Sequence, residues 1–170
     1  MRAGTESSLR DTELYESYQE RRRSKYPVTS VETVERFLAS INAHDVDGLA
    51  AMMTPDHQFI DSAGARVQGA DSMREAWRAY FEMMPDYQIT VSEILEKGQL
   101  VVVLGQAAGT LARNGRVDAK DRWVVPAAWA AVVVGDAPME RVASWQIFAD
   151  NSRIETLLRT PAASAEGGAR

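Results

Sequence analysis

The sequence contains no cysteine and only two histidines, His44 and His57. Without cysteine the chain can form neither a disulfide nor a thiolate metal site, and it has no cysteine nucleophile. The two histidines do not make a metal-ligand cluster, and a zinc site built mainly from carboxylates is unusual. We therefore expect neither a metal nor an organic cofactor.

Long apolar runs are also missing, since none approaches the roughly 18 residues that a membrane-spanning helix needs. The first residues, MRAGTESSLRDTELYE, lack the continuous apolar core of a signal peptide. The net charge of −5 argues against nucleic acid as a partner, because phosphate binding needs clustered lysine and arginine. These absences favour a cytoplasmic protein that binds neither membrane nor nucleic acid.

What remains is an ordinary globular composition of 170 residues, 45% apolar and 25% charged. One domain of this length can bury a sizeable core. Composition divides the chain into three parts. Residues 1–29 are highly charged and predict a helical extension, residues 30–160 form the folded domain, and residues 161–170 are small and polar and predict a disordered tail.

Helical periodicity dominates the first half of the domain. A helix is expected from Ser30, where apolar residues recur at helical spacing. Asp45 is a good N-cap for a short helix over about 46–53. Asp71 is expected to cap a third helix over about 72–84, which carries a wide apolar stripe. Between the last two helices the run 57–61 predicts a short strand.

After Pro85 the period changes to two, and the turns contain the glycines that hairpins prefer. The pattern predicts strands at about 87–96, 99–111, 121–134 and 140–150. Helices followed by long antiparallel strands indicate an α+β domain. A strongly curved sheet would enclose a cone around the three helices, with bends expected at Gly105, Gly109 and Pro126.

The order of these elements resembles the nuclear transport factor 2-like superfamily, in particular its SnoaL-like and ketosteroid isomerase-like branch. The resemblance runs from 31 to 158 through the stretches VERFLASINAHDVDGLAAMMTPDHQFID, GADSMREAWRAYF, MPDYQITVSEIL and RVASWQIFADN. It implies a curved sheet folded against three helices, one deep apolar pocket, and a homodimer formed through the sheet. The superfamily includes isomerases, polyketide cyclases, hydrolases, dehydratases and non-catalytic binding proteins, so the fold alone does not give the function.

Asp61 matches the position of the isomerase's catalytic base, which follows a run similar to Phe59-Ile60-Asp61. In that enzyme, a worked example of pKa tuning, an aspartate base acts with a tyrosine and a neutral aspartic acid that stabilise an oxyanion. The alternative is that Asp61 caps its turn by accepting backbone N–H bonds from Ala63 or Gly64. Both interpretations stay open at this stage.

The oxyanion donors of the isomerase are not matched. Its tyrosine corresponds to Phe37, which has no hydroxyl, and its neutral aspartic acid falls near Trp129-Ala130. An oxyanion donor contributes roughly 3–4 kcal/mol, so its loss matters for catalysis. The Asp–Arg–Asp arrangement of the limonene epoxide hydrolases is not visible either. We therefore do not predict steroid isomerase activity.

Other candidate residues have two interpretations each. Strand alternation places His57 on the same face as Asp61, either in the pocket or as a structural histidine. Asp150 joins the pocket only if a bulge reverses the last strand, and otherwise it belongs to a turn or to the dimer face. The expected pocket wall consists of aromatic residues, several of which could instead be core or interface: Phe37, Phe59, Trp77, Tyr80, Tyr87, Trp123, Trp129 and Trp145.

Two functions from different classes fit these residues. The first is a pocket for a small apolar ligand in which Asp61 is the general base of a cofactor-independent isomerisation, cyclisation or hydration, with His57 and Asp150 as possible partners. The second is a non-catalytic ligand-binding or dimeric interaction module of the same fold.

Overall fold

The computed structural model describes residues 30–136 and 138–160, which form an α+β domain. Both the charged extension 1–29 and the tail 161–170 lie outside the described residues. In chain order the first elements are α1 (Ser30–Asn42), α2 (Val46–Met52), β1 (Met53–Ile60), β2 (Arg66–Gln68) and α3 (Ala70–Met83). They are followed by β3 (Gln88–Lys97), β4 (Leu100–Thr110), a 3₁₀ turn (Ala119–Asp121), β5 (Arg122–Val134), β6 (Arg141–Ala149) and α4 (Ser152–Arg159).

The six strands form one curved, unclosed sheet in the order β2-β1-β6-β5-β4-β3. Every neighbouring pair is antiparallel except β1 and β6, which run parallel. The expected sheet was wholly antiparallel. The parallel pair arises because α3 and the long meander β3-β4-β5 lie between these two strands in sequence, so that β6 returns beside β1 in the same direction.

Curvature of the sheet comes from a close approach of two strands. A Cβ atom at Gly105 would collide with the carbonyl oxygen of Thr90, so only glycine fits there. The register of β3 against β4 shifts between Val91 and Glu93 at the same place, which is a β-bulge. Pro126 lies in the part of β5 that pairs with β4 but not with β6. The N–H that proline lacks is therefore not needed for a hydrogen bond to β6.

The helices cover one face of this sheet. α1 packs against β3, β4, β5 and β6, while α3 packs against β1 and β2. Asp45 caps α2 as expected by accepting a bond from the N–H of Gly48. Gly69, not Asp71, is the N-cap residue of α3, and Asp71 lies in its first turn. Among the described residues, no helix is both long and apolar enough to cross a membrane.

The core lies between α1 and the middle of the sheet. Phe37 of α1 contacts Trp145 with ring centroids 5.1 Å apart, and Trp145 stacks on Trp129 at 6.4 Å. All three side chains are essentially inaccessible to solvent. Aromatic residues therefore fill the centre of the curved sheet, and any hollow must lie towards one end of it.

Candidate functional site

The hollow lies at the end of the sheet beside α3, where β1 and β6 end. Its volume is about 290 Å³. Ten residues line it: Phe59, Asp61, Val67, Met73, Ala76, Trp77, Tyr80, Tyr87, Ile147 and Asn151. Of the described residues in this wall most are apolar or aromatic, and Asp61 is the one that carries a charge.

Helical geometry explains the contribution of α3 to this wall. Met73, Ala76, Trp77 and Tyr80 are spaced three, one and three residues apart, which places them on one face of a helix. That face is the apolar stripe visible in the sequence. Phe59 of β1 contacts Trp77 edge-on, with ring centroids 6.4 Å apart. Part of this apolar stripe therefore packs against the sheet, and the rest of it faces the cavity.

Asp61 caps its turn, as one of the two interpretations expected, and its side chain also lines the cavity. It is half-buried and lines the cavity immediately after β1. Its Oδ1 atom accepts hydrogen bonds from the backbone N–H groups of Ala63 (2.9 Å) and Ala65 (2.8 Å). Its Oδ2 atom has no hydrogen-bond partner within residues 30–136 and 138–160. The turn thus fixes one carboxylate oxygen, while the other has no partner in the part of the chain that the structure describes.

The rim beside Asp61 is polar. Asn151 donates a hydrogen bond from Nδ2 to Oγ of Ser62, at 2.7 Å. This bond ties the residue that precedes α4 to the turn that follows β1. Ser62 directly follows Asp61, whereas Asn151 is far away in sequence. The bond therefore holds two separate segments together at the rim of the cavity.

Two tyrosines form the inner aromatic wall. The rings of Tyr80 and Tyr87 lie edge to face, with centroids 5.0 Å apart. Burial raises the pKa of both phenols above its usual range, and the pKa of Tyr87 is raised further by the charge that Tyr80 would carry. Both phenols are therefore neutral O–H donors at any physiological pH.

Of the eight aromatic residues expected in the pocket wall, Phe59, Trp77, Tyr80 and Tyr87 line the cavity. The other four do not: three lie on strands, deeper along the same face of the sheet, and the fourth lies on α1, which packs over that face. These four are Phe37, Trp123, Trp129 and Trp145. Alternation along a strand correctly predicts on which face of the sheet a residue lies. It does not predict whether the residue lies at the cavity or deeper in the core.

His57 is a core residue and not part of the cavity wall. It is fully buried, and its Nδ1 atom donates a hydrogen bond to the carbonyl oxygen of Val142 at 2.7 Å, which leaves the proton off Nε2. Nε2 has no partner among the described residues. Burial lowers the pKa of His57, against smaller raising effects of the Val142 carbonyl and the Asp56 charge.

A pH-dependent stability follows from this burial. The folded-state pKa of His57 lies below its ordinary value of 6.5, so the unfolded chain binds the proton more readily. We expect the free energy of unfolding to be highest above about pH 6.5 and to fall as the pH drops from there towards the lowered folded-state pKa. In His57→Asn, where the amide nitrogen can still donate to Val142, this part of the pH dependence should flatten. Urea unfolding of both proteins at pH 7.5 and 5.5 measures this change. If the free energy of unfolding fell by the same amount between these pH values in wild type and variant, the assignment would be contradicted.

Asp150 does not join the cavity. It is exposed after β6, where its Oδ1 atom accepts a bond from the N–H of Ser152 at 3.0 Å, and this bond lowers its pKa. Ile147, on the opposite face of β6, lines the cavity instead. The register shift between β5 and β6 falls between Val132 and Val133, at the other end of β6. It therefore does not turn Asp150 inward, and among the described residues that line the cavity Asp61 is the only carboxylate.

Five lining residues were not singled out for the site from the sequence. Met73 and Ala76 belong to the apolar stripe of α3, and Ile147 shares the face of Trp145, so the periodicity contained their signal. Val67 and Asn151 carried none, because Val67 lies in a three-residue strand too short to show a period and Asn151 follows the end of β6. The helix α4 after Asn151 was not expected either.

Comparison with known proteins agrees with this architecture. A curved sheet folded over helices, with a hollow at one end, defines the nuclear transport factor 2-like class. Residues 34–137 match the family model of the SnoaL-like domain, and the chain belongs to this family. Among curated proteins, none matches the sequence.

Solved structures share the fold at low sequence identity. A proposed SnoaL-like polyketide cyclase from Jannaschia sp. CCS1 is 21% identical, with a TM-score of 0.65 over 78% of this chain and 93% of that one. A ketosteroid isomerase-like protein from Catenulispora acidiphila, solved with trimethylamine, is 18% identical, with a TM-score of 0.65 over 78% and 100%. AclR from Streptomyces galilaeus, a proposed hydroxylase, is 16% identical, with a TM-score of 0.60 over 80% and 85%.

Proposed function

We propose that the cavity binds a small, largely apolar molecule and that Asp61 acts on it as a general base. The observation that carries the proposal is that the two oxygens of the Asp61 carboxylate have different surroundings. Two backbone N–H groups hold Oδ1, while Oδ2 has no partner among the described residues and the side chain lines the cavity. A base needs such a fixed orientation together with a free oxygen.

The size of the cavity limits the ligand. Small-molecule sites usually measure about 300–1,000 Å³, so 290 Å³ lies at the lower end of that range. An apolar cavity of about 150 Å³ holds a single benzene ring. A compact molecule of about two fused rings therefore fits the volume.

The chemistry requires no cofactor. Oδ2 of Asp61 removes a proton from a carbon next to a carbonyl group, and the electron pair of that C–H bond moves to give an enolate. The protonated carboxyl then returns the proton to the same or another atom of the ligand. Return of the proton to a different atom isomerises the ligand. If the enolate carbon instead attacks a second carbonyl, the new C–C bond closes a ring, the electron pair of the C=O π bond moves to its oxygen, and that alkoxide takes the proton from the Asp61 carboxyl. General-base help of this kind is worth about 10²–10⁴-fold.

The test uses 2-tetralone, a two-ring ketone with acidic protons next to its carbonyl. The protein should accelerate the exchange of these protons for deuterium, and Asp61→Asn should remove the acceleration. Loss of the base leaves the fold intact, because the asparagine oxygen can still accept the bonds from Ala63 and Ala65. The cytoplasmic location and the lack of a cofactor remain predictions of the sequence.

Ligand binding without chemistry is the second candidate. It is favoured by Phe37, which lies in the core without a hydroxyl where the isomerase has its oxyanion tyrosine. In that case 2-tetralone binds to the cavity, but its exchange rate is the same with and without the protein. The two candidates therefore differ in the exchange rate and agree in binding.

We further propose that two copies of the chain associate through the outer face of the sheet. Register places Phe148, Ala128 and Leu104 in one row across β6, β5 and β4, on the face away from the helices. The next row holds Gln146, Ala130, Val102 and Leu95. Phe148 is 52% exposed and Leu95 is 50% exposed, although both are large and apolar. A second copy with the same face would cover them.

Light scattering after gel filtration tests this association. Wild-type protein should have twice the chain mass of 18.8 kDa. A charge placed in the face, as in Phe148→Glu combined with Leu95→Glu, should give the monomer mass. Leu158→Glu is the matched control, because Leu158 is 51% exposed but lies on α4. Monomeric wild-type protein, or a dimer that survives the double substitution, would contradict the proposed interface.

A further inference from the structure

The turn that holds Asp61 joins β1 to the edge strand β2. The N–H of Asp61 donates to the carbonyl oxygen of Ala65 at 3.0 Å, and its carbonyl oxygen accepts a bond from the N–H of Gly64 at 3.0 Å. These bonds, like the two that hold Oδ1, close the turn on itself. Ala63, Gly64 and Ala65 are exposed, so packing against the domain does not hold the turn in place.

The side chain of Asn151 connects this turn to another part of the domain. Its hydrogen bond from Nδ2 to Oγ of Ser62, at 2.7 Å, joins the residue after Asp61 to the residue before α4. Both partners are half-buried, so the bond is partly shielded from competing water. The contact is therefore suited to fix a turn that packing leaves free.

Asn151 makes this bond instead of the one that its position favours. It is the N-cap residue of α4, where asparagine is preferred because its side chain can accept a bond from an N–H of the first helical turn. In the described part of the chain, the Asn151 side chain makes no such bond. Departures from a local rule of this kind are expected at functional sites, where a side chain serves the site and not its own helix.

The helix that begins after Asn151 is itself anchored. At the C-terminal end of α4, Arg113 donates from Nη1 to the carbonyl oxygen of Thr160 and from Nη2 to that of Leu157, both at 2.6 Å. Nε of Arg113 donates to Oδ2 of the buried Asp121 at 3.1 Å. Because Arg113 and Asp121 lie between β4 and β5, they tie α4 to the opposite side of the sheet from the turn.

We propose that Asn151 is a positioning residue: through Ser62 it fixes the turn, and thereby the direction in which Oδ2 of Asp61 points. The inference rests on the proposed function for its consequence in catalysis, because there Oδ2 is the base. Misplacement of a reacting group by about 1 Å can cost about 10²-fold in rate. Asn151 itself transfers no proton, and its effect depends on the hydroxyl of Ser62.

The first measurement does not depend on catalysis. Exchange of the backbone N–H groups of Ala63 and Ala65 with solvent is followed by NMR in wild type, Asn151→Ala and Ser62→Ala. Loss of the bond should speed this exchange by about two- to tenfold, which is the effect of one hydrogen bond on a local opening equilibrium. Ser62→Thr keeps the hydroxyl and is the matched control, so its N–H groups should exchange as in wild type.

The second measurement separates binding from catalysis. Because Ser62 is not among the described residues that line the cavity, Ser62→Ala should leave the dissociation constant of 2-tetralone within about twofold of wild type. The exchange rate of the α-protons at saturating 2-tetralone should fall by about tenfold. Asn151→Ala combined with Ser62→Ala should lose no more than the larger single loss, because both substitutions remove the same bond.

Unchanged exchange of the Ala63 and Ala65 N–H groups in Asn151→Ala would overturn the inference. Rate losses that multiply in the double variant would do the same, since the two residues would then act independently. Failure of the proposed function has a different result: wild-type protein does not accelerate the exchange of 2-tetralone, while the N–H groups still respond to both substitutions. In that case Asn151 fixes the carboxylate of Asp61, and the carboxylate is not a base.

Discussion

Asp61→Asn is expected to slow the protein-catalysed exchange of the 2-tetralone α-protons in deuterium oxide by about 10²–10⁴-fold. The asparagine keeps the size of the side chain and one oxygen for the N–H groups of Ala63 and Ala65. It lacks the free basic oxygen that removes the proton. Exchange is followed by the decay of the α-proton signals in NMR spectra, at equal protein concentration and with the uncatalysed rate subtracted.

Asp150→Asn is the matched control for this experiment. Asp150 is exposed after β6, outside the cavity wall, and its oxygen caps the N–H of Ser152. The same chemical change should therefore leave the exchange rate within about twofold of wild type. Exchange by Asp61→Asn at the wild-type rate would show that Asp61 is not the base. A similar loss in both variants would show that the effect is not local to the cavity.

The largest effect on stability is expected at Trp145. Its side chain is 1% exposed and packs between Phe37 and Trp129. Truncation in Trp145→Ala removes these contacts and leaves a large cavity that the surrounding sheet cannot close. We expect the free energy of unfolding to fall by about 3–5 kcal/mol, as is usual for buried aromatic residues. Urea denaturation followed by circular dichroism measures it.

Leu158→Ala provides the reference for a surface truncation. Leu158 is half-exposed on α4 and should change the free energy of unfolding by no more than about 0.5 kcal/mol. If Trp145→Ala cost as little as the surface variant, Trp145 would not be part of the core. At temperatures where Trp145→Ala remains folded, its affinity for 2-tetralone should stay close to wild type, because Trp145 is not in the cavity wall.

Much of the fold could be predicted because each element carries its own local signal. The strand β5 was expected at about 121–134 and is found at Arg122–Val134, and the bend at Gly105 was expected from glycine in a strand. The helix α4 was missed because its eight residues bury no side chain completely and follow a strand without a turn signal. The parallel pairing of β1 with β6 depends on contacts far apart in sequence, which no local pattern contains.

The site was harder to predict because depth is a tertiary property. Phe59 and Trp145 are directly paired across β1 and β6, yet the first lines the cavity and the second is sealed in the core. What separates them is the helix packed above each one, and strand periodicity does not contain that information. The two interpretations of Asp61 were likewise not exclusive, since one carboxylate has two oxygens and the turn uses only Oδ1.

The most direct test of the account is the crystal structure of the protein with 2-tetralone. The account predicts the ketone in the hollow, against the rings of Phe59 and Trp77. An α-carbon should then lie about 3–3.5 Å from Oδ2 of Asp61, as a near-attack geometry requires. A ketone bound elsewhere, or bound in the hollow with its oxygen towards Asp61, would contradict the account.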